Sequence, residues 1–275
     1  MMMLSKDEFL EKYGQQSEFE KSGLDWETLL AIDSDYQQKE STFREIAIKL
    51  VGQISSFPNV HSVRYRLKDP EHLIEKIIRK AVENADLDVT YNVETYLTEI
   101  TDIIGIRALY VFKNDYWDLH QRITKEYKKM FSEKPQVKLR VGDDKKIYSK
   151  LRNVEYQQDT DYRSIHYSIR YVLPGEFAPV EIQTRSIFEE GWSEINHRML
   201  YKQPQNEHTL LLKQASSILS SLAGDCDVLA QLMKEILDYG HSSTKDESSF
   251  PVITSENKSN FIKFLEASIS SGTDR

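Results

Sequence analysis

One cysteine, Cys226, stands in the whole chain, so no internal disulfide can form and a reducing cytoplasm is the expected home. No apolar run approaches the roughly 18 residues of a membrane span, which speaks against a membrane partner. The opening Met-Met-Met-Leu-Ser-Lys-Asp-Glu lacks the basic start and apolar core of a secretory leader. The seven histidines are scattered and share no zinc-type spacing with the cysteine, so metal-hydrolase chemistry has little support. Neither a GxxxxGK[ST] loop nor a GxGxxG turn occurs, which excludes P-loop and Rossmann modes of nucleotide binding. There is no internal repeat. A net charge of −8 argues weakly against bulk affinity for nucleic acid and leaves a local basic groove allowed. With 39% hydrophobic and 29% charged residues, 275 residues suffice for a substantial core.

What is present reads as alternating strands and helices. Residues 5–56 predict two helices, the second packed on the core, with Phe57-Pro58-Asn59 as the stop. Over 61–68, Val63, Tyr65 and Leu67 alternate with Arg64, Arg66 and Lys68, the pattern of a strand with one cationic face. Pro70 opens a helix whose buried stripe is Leu73, Ile74, Ile77, Ile78 and Ala81, with Lys76, Arg79 and Lys80 on another face. Ile103 to Phe112 predicts a central strand buried on both sides, in which Arg107 is the one charge. A covering helix follows over 117–130, then a charged, irregular stretch over 132–160 with a short strand at 137–141. Strands at 166–173 and 180–185 are joined by Pro174-Gly175, with Glu181, Gln183 and Arg185 on one face of the second. Phe188, Trp192, Ile195 and Met199 predict the apolar stripe of the next helix. Residues 207–239 are helical with a break near Gly224, and a serine-rich linker then leads to a short helix at 260–267.

Several of these residues carry candidate chemistry. Taken singly, Asp102 is most simply a turn cap, Glu181 a solvated strand residue, Tyr162 a packed aromatic and His166 a hydrogen-bonded strand histidine. The concentration of charge weakens that reading. Arg64, Arg66, Lys68, Lys76 and Arg79 lie on one strand–helix unit that otherwise looks core-packed, and such a cluster can hold a triphosphate. Asp102 and Glu181 sit at the edges of predicted strands; if they converge, they supply oxygens to a magnesium ion. An exposed Tyr162 would stack on a nucleobase.

Five motifs in order resemble the synthetase domain of the RelA/SpoT family, the alarmone synthetases, and especially their small members. They are Arg66-x-Lys68-x-Pro70-Glu71 with Lys76 and Arg79-Lys80; Asp102-Ile-Ile-Gly105-Ile-Arg107; Tyr162-Arg163-Ser164-Ile165-His166; Glu181-Ile-Gln183-Thr184-Arg185; and Trp192 through His197 to Tyr201-Lys202. The resemblance runs from about Arg64 to Lys202, roughly half of the chain. It implies an α/β fold: a mixed sheet flanked by helices, like that of nucleotidyltransferases, with helical extensions at both ends. The expected division is a helical extension over 1–58, a synthetase domain over 59–203, a helical region over 204–240, and a linker with a short terminal helix over 241–275.

The resemblance further implies pyrophosphoryl transfer from ATP to the 3′-hydroxyl of GDP or GTP, giving (p)ppGpp and AMP. Arg66 and Arg107 would sandwich adenine, while Lys68, Lys76 and Arg79 would hold the ATP phosphates. Asp102 and Glu181 would bind Mg2+, with Glu181 also the candidate base. Tyr162 would stack on guanine, with His166 and Gln183 near the acceptor. The chain departs from the family pattern at Asp161, where glycine is usual, at His72, where serine is usual, and at Asn196-His197, where a Glu-His pair is usual. Some small relatives instead place pyrophosphate on the 3′ end of tRNA, and Lys138, Arg140, Lys145, Lys146, Lys150 and Arg152 could guide an RNA backbone. A non-catalytic nucleotide-sensing module is a further alternative. No hydrolase signature precedes the synthetase region, so alarmone degradation is not expected. The apolar positions of 207–239 fit either a homo-oligomer contact or a helix pair covering the domain's own core.

Overall fold

The computed structural model describes residues 4–87, 89–143, 145–159, 162–200 and 206–240. Three helices come first, α1 (Lys6–Tyr13), α2 (Gln16–Ser22) and α3 (Trp26–Ser55). Strand β1 (Ser62–Leu67), helix α4 (Pro70–Glu83), the single turn α5 (Tyr96–Glu99), strand β2 (Ile104–Tyr110) and helix α6 (Tyr116–Tyr127) follow. Then come β3 (Gln136–Arg140), β4 (Glu155–Asp159), β5 (Ser164–Leu173), β6 (Glu176–Ser186), α7 (Ile187–Leu200) and α8 (Glu207–Gly240). The strands form one mixed six-stranded sheet in the order β1-β2-β6-β5-β3-β4. β2 and β6 run parallel at its centre, β1 and β5 flank them antiparallel, and β3 pairs parallel with β4 at the far edge. The expected architecture, a mixed sheet with helices before, around and after it, is the one observed.

Period-two alternation divides the sheet into two chemically opposite faces. Ile104, Ile106, Val180, Ile182, Ile165, Tyr167 and Ile169 point to one side and are all buried. Against that side pack α3, through Phe43, Ile46 and Leu50, and α4, through the expected stripe Leu73, Ile74, Ile77, Ile78 and Ala81. The other side carries polar rows. Arg66, Gly105, Glu181 and Ser168 stand opposite one another across β1, β2, β6 and β5, and Arg64, Arg107, Gln183 and His166 form the next row. The expectation that the strand over 103–112 is buried on both sides is therefore corrected. Gly105 and Arg107 face a cleft rather than a second apolar layer.

Three other expectations change. Residues 5–56 hold three helices, because Gly14 and Gly23 adopt left-handed conformations (φ 63° and 66°) that end α1 and α2. The irregular stretch over 132–160 contains an unforeseen edge strand, β4, whose polar sequence Glu-Tyr-Gln-Gln-Asp hides it from hydrophobic patterning. Helix α8 runs through Gly224 without a break. Both halves of it are tied down: Trp192 Nε1 donates to Ser216 O at 2.8 Å, Ser186 Oγ to Asp227 at 2.9 Å, and Lys234 pairs with Asp115 at 3.0 Å. A Cβ on Gly224 would lie 2.9 Å from the Arg163 guanidinium, so the glycine serves close approach rather than a bend. On α7 only Trp192 of the predicted stripe is buried, while Ile195 and Met199 are half exposed. The predicted linker and helix at 260–267, with Asp161, Tyr201 and Lys202, lie outside the described residues.

Helix α4 begins where its sequence dictates. The Asp69 carboxylate accepts from the His72 N–H at 3.1 Å and Pro70 takes the first helical position. Asp69→Ala is expected to destabilise the fold by about 1 kcal/mol, read as a lower midpoint in urea with an unchanged slope.

Candidate active site

The polar face of the sheet, α4 and α7 enclose two adjoining cavities. The larger, about 650 Å3, is lined among others by Arg66, Lys68, Lys76, Arg79, Tyr162 and Arg185. The smaller, about 260 Å3, lies over Arg64, Gly105, Glu194 and Ile106, and both share Arg66, Arg107, Gln183 and His197. At Gly105 a Cβ would come within 3.2 Å of Arg66 Cγ and 3.3 Å of its Nε, close enough that the Arg66 side chain would have to shift. Its absence lets the Arg66 side chain lie across β2 beside Arg107.

At one end of the cleft Asp102 is gripped by two lysines, Lys68 Nζ at 2.8 Å from one carboxylate oxygen and Lys76 Nζ at 2.9 Å from the other. Burial acts to raise the Asp102 pKa, but the two ammonium groups outweigh it and hold it at about 2. Burial draws Lys68 below the ordinary lysine value, against the opposing pull of Asp102. Arg79 lines the same cavity but pairs with Glu83 at 2.6 Å, on the outer side of α4.

At the centre Glu181 sits in a closed ring of five side chains. His166 Nδ1 lies 3.1 Å from Glu181 Oε1, and Gln183 Nε2 donates to Glu181 Oε2. Tyr162 Oη lies 2.7 Å from His166 Nε2. Arg185 closes the ring, donating from Nη2 to Tyr162 Oη at 3.2 Å and to Gln183 Oε1 at 2.7 Å. The proton order follows from the ends. An ionised carboxylate only accepts, so His166 donates from Nδ1, and the Tyr162 oxygen accepts from Arg185; in the neutral tautomer of His166, Nε2 accepts from the Tyr162 hydroxyl. Burial again acts to raise the Glu181 pKa; the His166 and Gln183 bonds prevail and lower it to about 2, with the Asp102 charge opposing them.

Tyr162 has the Arg185 guanidinium over its ring at 4.9 Å and meets His166 edge-on. Arg107 is held from α7 by Glu190 at 3.0 Å and Glu194 at 2.5 Å. The fold thus brings together all ten residues singled out from the sequence: Arg66, Lys68, Lys76, Arg79, Asp102, Arg107, Tyr162, His166, Glu181 and Gln183. Sequence reasoning gave no role to Arg185 or Glu190. Arg185 was marked only as the last residue of the Glu181-Ile-Gln183-Thr184-Arg185 motif, on the same strand face as Glu181, and its side chain is 2% exposed. Glu190 looked like a surface helix acid, yet it lies between Arg107 and Arg185, 3.4 Å from the latter. Of the departures, Asn196 accepts from Ser216 Oγ at 2.6 Å and so ties α7 to α8, while His72 meets the Tyr13 ring edge-on. The basic stretch offered for RNA is dispersed: Lys138 bonds Gln157, Arg140 bonds Ser221 and Lys145 lies over Tyr156.

The family model described as the region found in RelA / SpoT proteins matches residues 65–206, just over half of the chain, and the protein belongs to that family. Among solved structures, the small alarmone synthetase 1 from Bacillus subtilis is 20% identical with a TM-score of 0.50, over 75% of this chain and 95% of that one. It shares the fold. A structure of the same synthetase bound to its product pppGpp gives 20% and 0.48 over 75% and 95%. A GTP pyrophosphokinase family protein from Streptococcus pneumoniae gives 18% and 0.47 over 89% and 100%. No curated protein sequence matches the chain. Among the described residues, no helix is long and apolar enough to cross a membrane.

No group of three or more His, Cys, Asp or Glu converges as a metal cage among the described residues. Asp102 and Glu181 are both held ionised at neutral pH, the form in which magnesium takes one or two carboxylates and completes its shell with water and substrate oxygens; here Lys68, Lys76, His166 and Gln183 occupy their oxygens. Their depressed pKa values have a consequence without ligand. The stability that they lend is full above the unfolded values of 3.8 and 4.5 and is lost as pH falls toward about 2. The melting temperature should therefore drop on acidification from about pH 5 to about pH 2.5, and Asp102→Asn should flatten that drop.

Proposed function

We propose that the protein is an ATP-dependent pyrophosphokinase that transfers the β,γ-pyrophosphoryl group of ATP to the 3′-hydroxyl of GDP or GTP. The observation that carries this reading is a carboxylate held by two lysines in the turn that enters β2, together with a second carboxylate fixed in a hydrogen-bonded ring on the polar face of the sheet. Family membership points the same way.

In this reading adenine lies between the guanidinium planes of Arg66 and Arg107, the latter held flat by Glu190 and Glu194. Lys68, Lys76 and Arg79 turn to the phosphates, and Lys68 and Lys76 release the Asp102 oxygens as they do so. Asp102 and Glu181 would hold magnesium, which would supply positive charge against the phosphate oxygens. Tyr162 presents the ring face away from Arg185 to the guanine base, with His166 and Gln183 beside the acceptor ribose. The acceptor 3′-oxygen forms a bond to the β-phosphorus, the bond from that phosphorus to the α,β-bridging oxygen breaks, and AMP leaves. The hydroxyl proton passes to Glu181. At a pKa of about 2 this carboxylate is a weak base, so it orients the hydroxyl first and takes the proton only as the new bond forms. The protein's contribution is alignment and charge neutralisation.

The test is an acceptor screen with ATP labelled at the β-phosphate, magnesium and, separately, GDP, GTP and deacylated tRNA. Label is expected on the guanine nucleotides. Label on tRNA alone would overturn the acceptor assignment, and transfer to none of the three would overturn the enzymatic reading. Arg185→Met should open both arms of the ring around Glu181. Turnover is expected to fall by about 10²-fold while ATP binding, measured by calorimetry, stays within about twofold. A matched loss of ATP affinity would mean that Arg185 merely supports the fold.

A further inference from the structure

The first turn of α7 carries two buried acids side by side, Glu189 and Glu190, 3% and 5% exposed. They face different ways. Glu189 pairs with Arg163 at 2.6 Å, and its backbone N–H donates to Ser186 Oγ at 3.1 Å, which anchors the start of the helix. Glu190 reaches over the cleft. One of its oxygens accepts from Arg107 Nη1 at 3.0 Å; the other lies 3.4 Å from Arg185 Nη1, an ion pair without hydrogen-bond alignment. A single carboxylate therefore stands between the guanidinium assigned to the donor base and the one that closes the ring around Glu181.

The second of these contacts is unfinished. Glu190 Oε2, Arg185 Nη1 and Arg185 Nε are all buried, and none has a hydrogen-bond partner. Buried charged groups ordinarily complete their hydrogen bonds, because an unmet donor or acceptor costs its full desolvation. Arg185 uses only Nη2, on Tyr162 and Gln183. A small turn of Glu190 would bring Oε2 into line with Arg185 Nη1, and the group that governs that turn is Arg107, bonded to Oε1. The two oxygens of a carboxylate share one rigid plane, so a shift at one is a shift at the other. The anchored helix start confines the motion to the side chain. The other partner of Arg107, Glu194, is 40% exposed and free to follow it.

We propose that Glu190 is a positioning residue that couples the two halves of the cleft. Adenine settling against Arg107 turns Glu190 into a hydrogen bond with Arg185, and so fixes the ring that presents Glu181 and Tyr162 to the acceptor. This rests on the reaction proposed above. Glu194 shares Arg107 but has no ion pair with Arg185 among the described residues, which makes it the internal control. The experiment is calorimetric titration of the full chain with GDP and, separately, GTP, in the presence of magnesium. Each titration is run without and with a saturating ATP analogue whose α,β-bridging oxygen is replaced by methylene, so that no transfer occurs. The analogue is expected to tighten acceptor binding at least about fivefold. Glu190→Gln should bring that factor to within about twofold of one. Glu190→Asp keeps the buried charge but shortens its reach, and should lose the factor at an unchanged melting temperature. Glu194→Gln should weaken the analogue itself and keep the factor. A merely structural role for Glu190 would weaken each nucleotide in its separate titration and leave the factor in place. A factor near one in the parent chain, a factor retained in either folded Glu190 variant, or one lost equally in Glu194→Gln would overturn the coupling and leave the pyrophosphokinase reading intact. Failure of the parent chain to bind the analogue or either acceptor would overturn that reading, and the coupling with it.

Discussion

The contact on which the cleft depends is the bridge from Lys68 and Lys76 to Asp102. It ties the middle of α4 to the end of β1 and to the segment entering β2, two pieces of chain already joined by the backbone ladder between the strands. Burying one carboxylate and two ammonium groups is tolerable because the carboxylate lies between them; removing Asp102 would leave the two ammonium groups unanswered. Lys68 is further fixed by its backbone. Its N–H donates to Ile103 O at 2.9 Å, and its carbonyl accepts from the buried Tyr36 hydroxyl of α3 at 2.5 Å. The long N-terminal helix thus reaches the site through one tyrosine.

The parallel pair β2–β6 does the rest of the positioning. Because side chains alternate, Gly105 and Arg107 fall on the same face as Glu181 and Gln183, in matching rows. The same alternation sends Ile104, Ile106, Val180 and Ile182 into the core. One set of strands therefore builds both the stable layer and the polar floor. The floor is then fixed by Arg185, whose guanidinium reaches Glu181 along two arms, through Gln183 and through Tyr162 and His166. A carboxylate held from both sides keeps its orientation and its charge.

Periodicity made the elements of the central region readable. The β1 alternation, the α4 stripe and the Pro-Gly hairpin of β5 and β6 each combine a strong pattern with a clear stop signal. Where patterning misled, a backbone or tertiary cause can be named. Gly14 and Gly23 end helices through left-handed conformations that an apolar stripe does not report. β4 is a polar edge strand, half of whose partners lie in solvent. Gly224 invited a break, but the helix passes it because Arg163 needs the space and ties on both sides hold the helix straight.

By itself the sequence marked the candidate residues of the cleft: ordered motifs of two carboxylates, a cationic strand–helix unit and a Tyr-Arg-Ser-x-His run are local and survive without coordinates. Only the tertiary structure decided how they are joined. That Lys68 and Lys76 share Asp102, that Arg185 reaches back to Tyr162 to close the ring around Glu181, and that α7 holds Arg107 through Glu190 and Glu194 are contacts across long stretches of chain. Sheet order and helix docking set them, and neither is encoded in the spacing of residues along a single element.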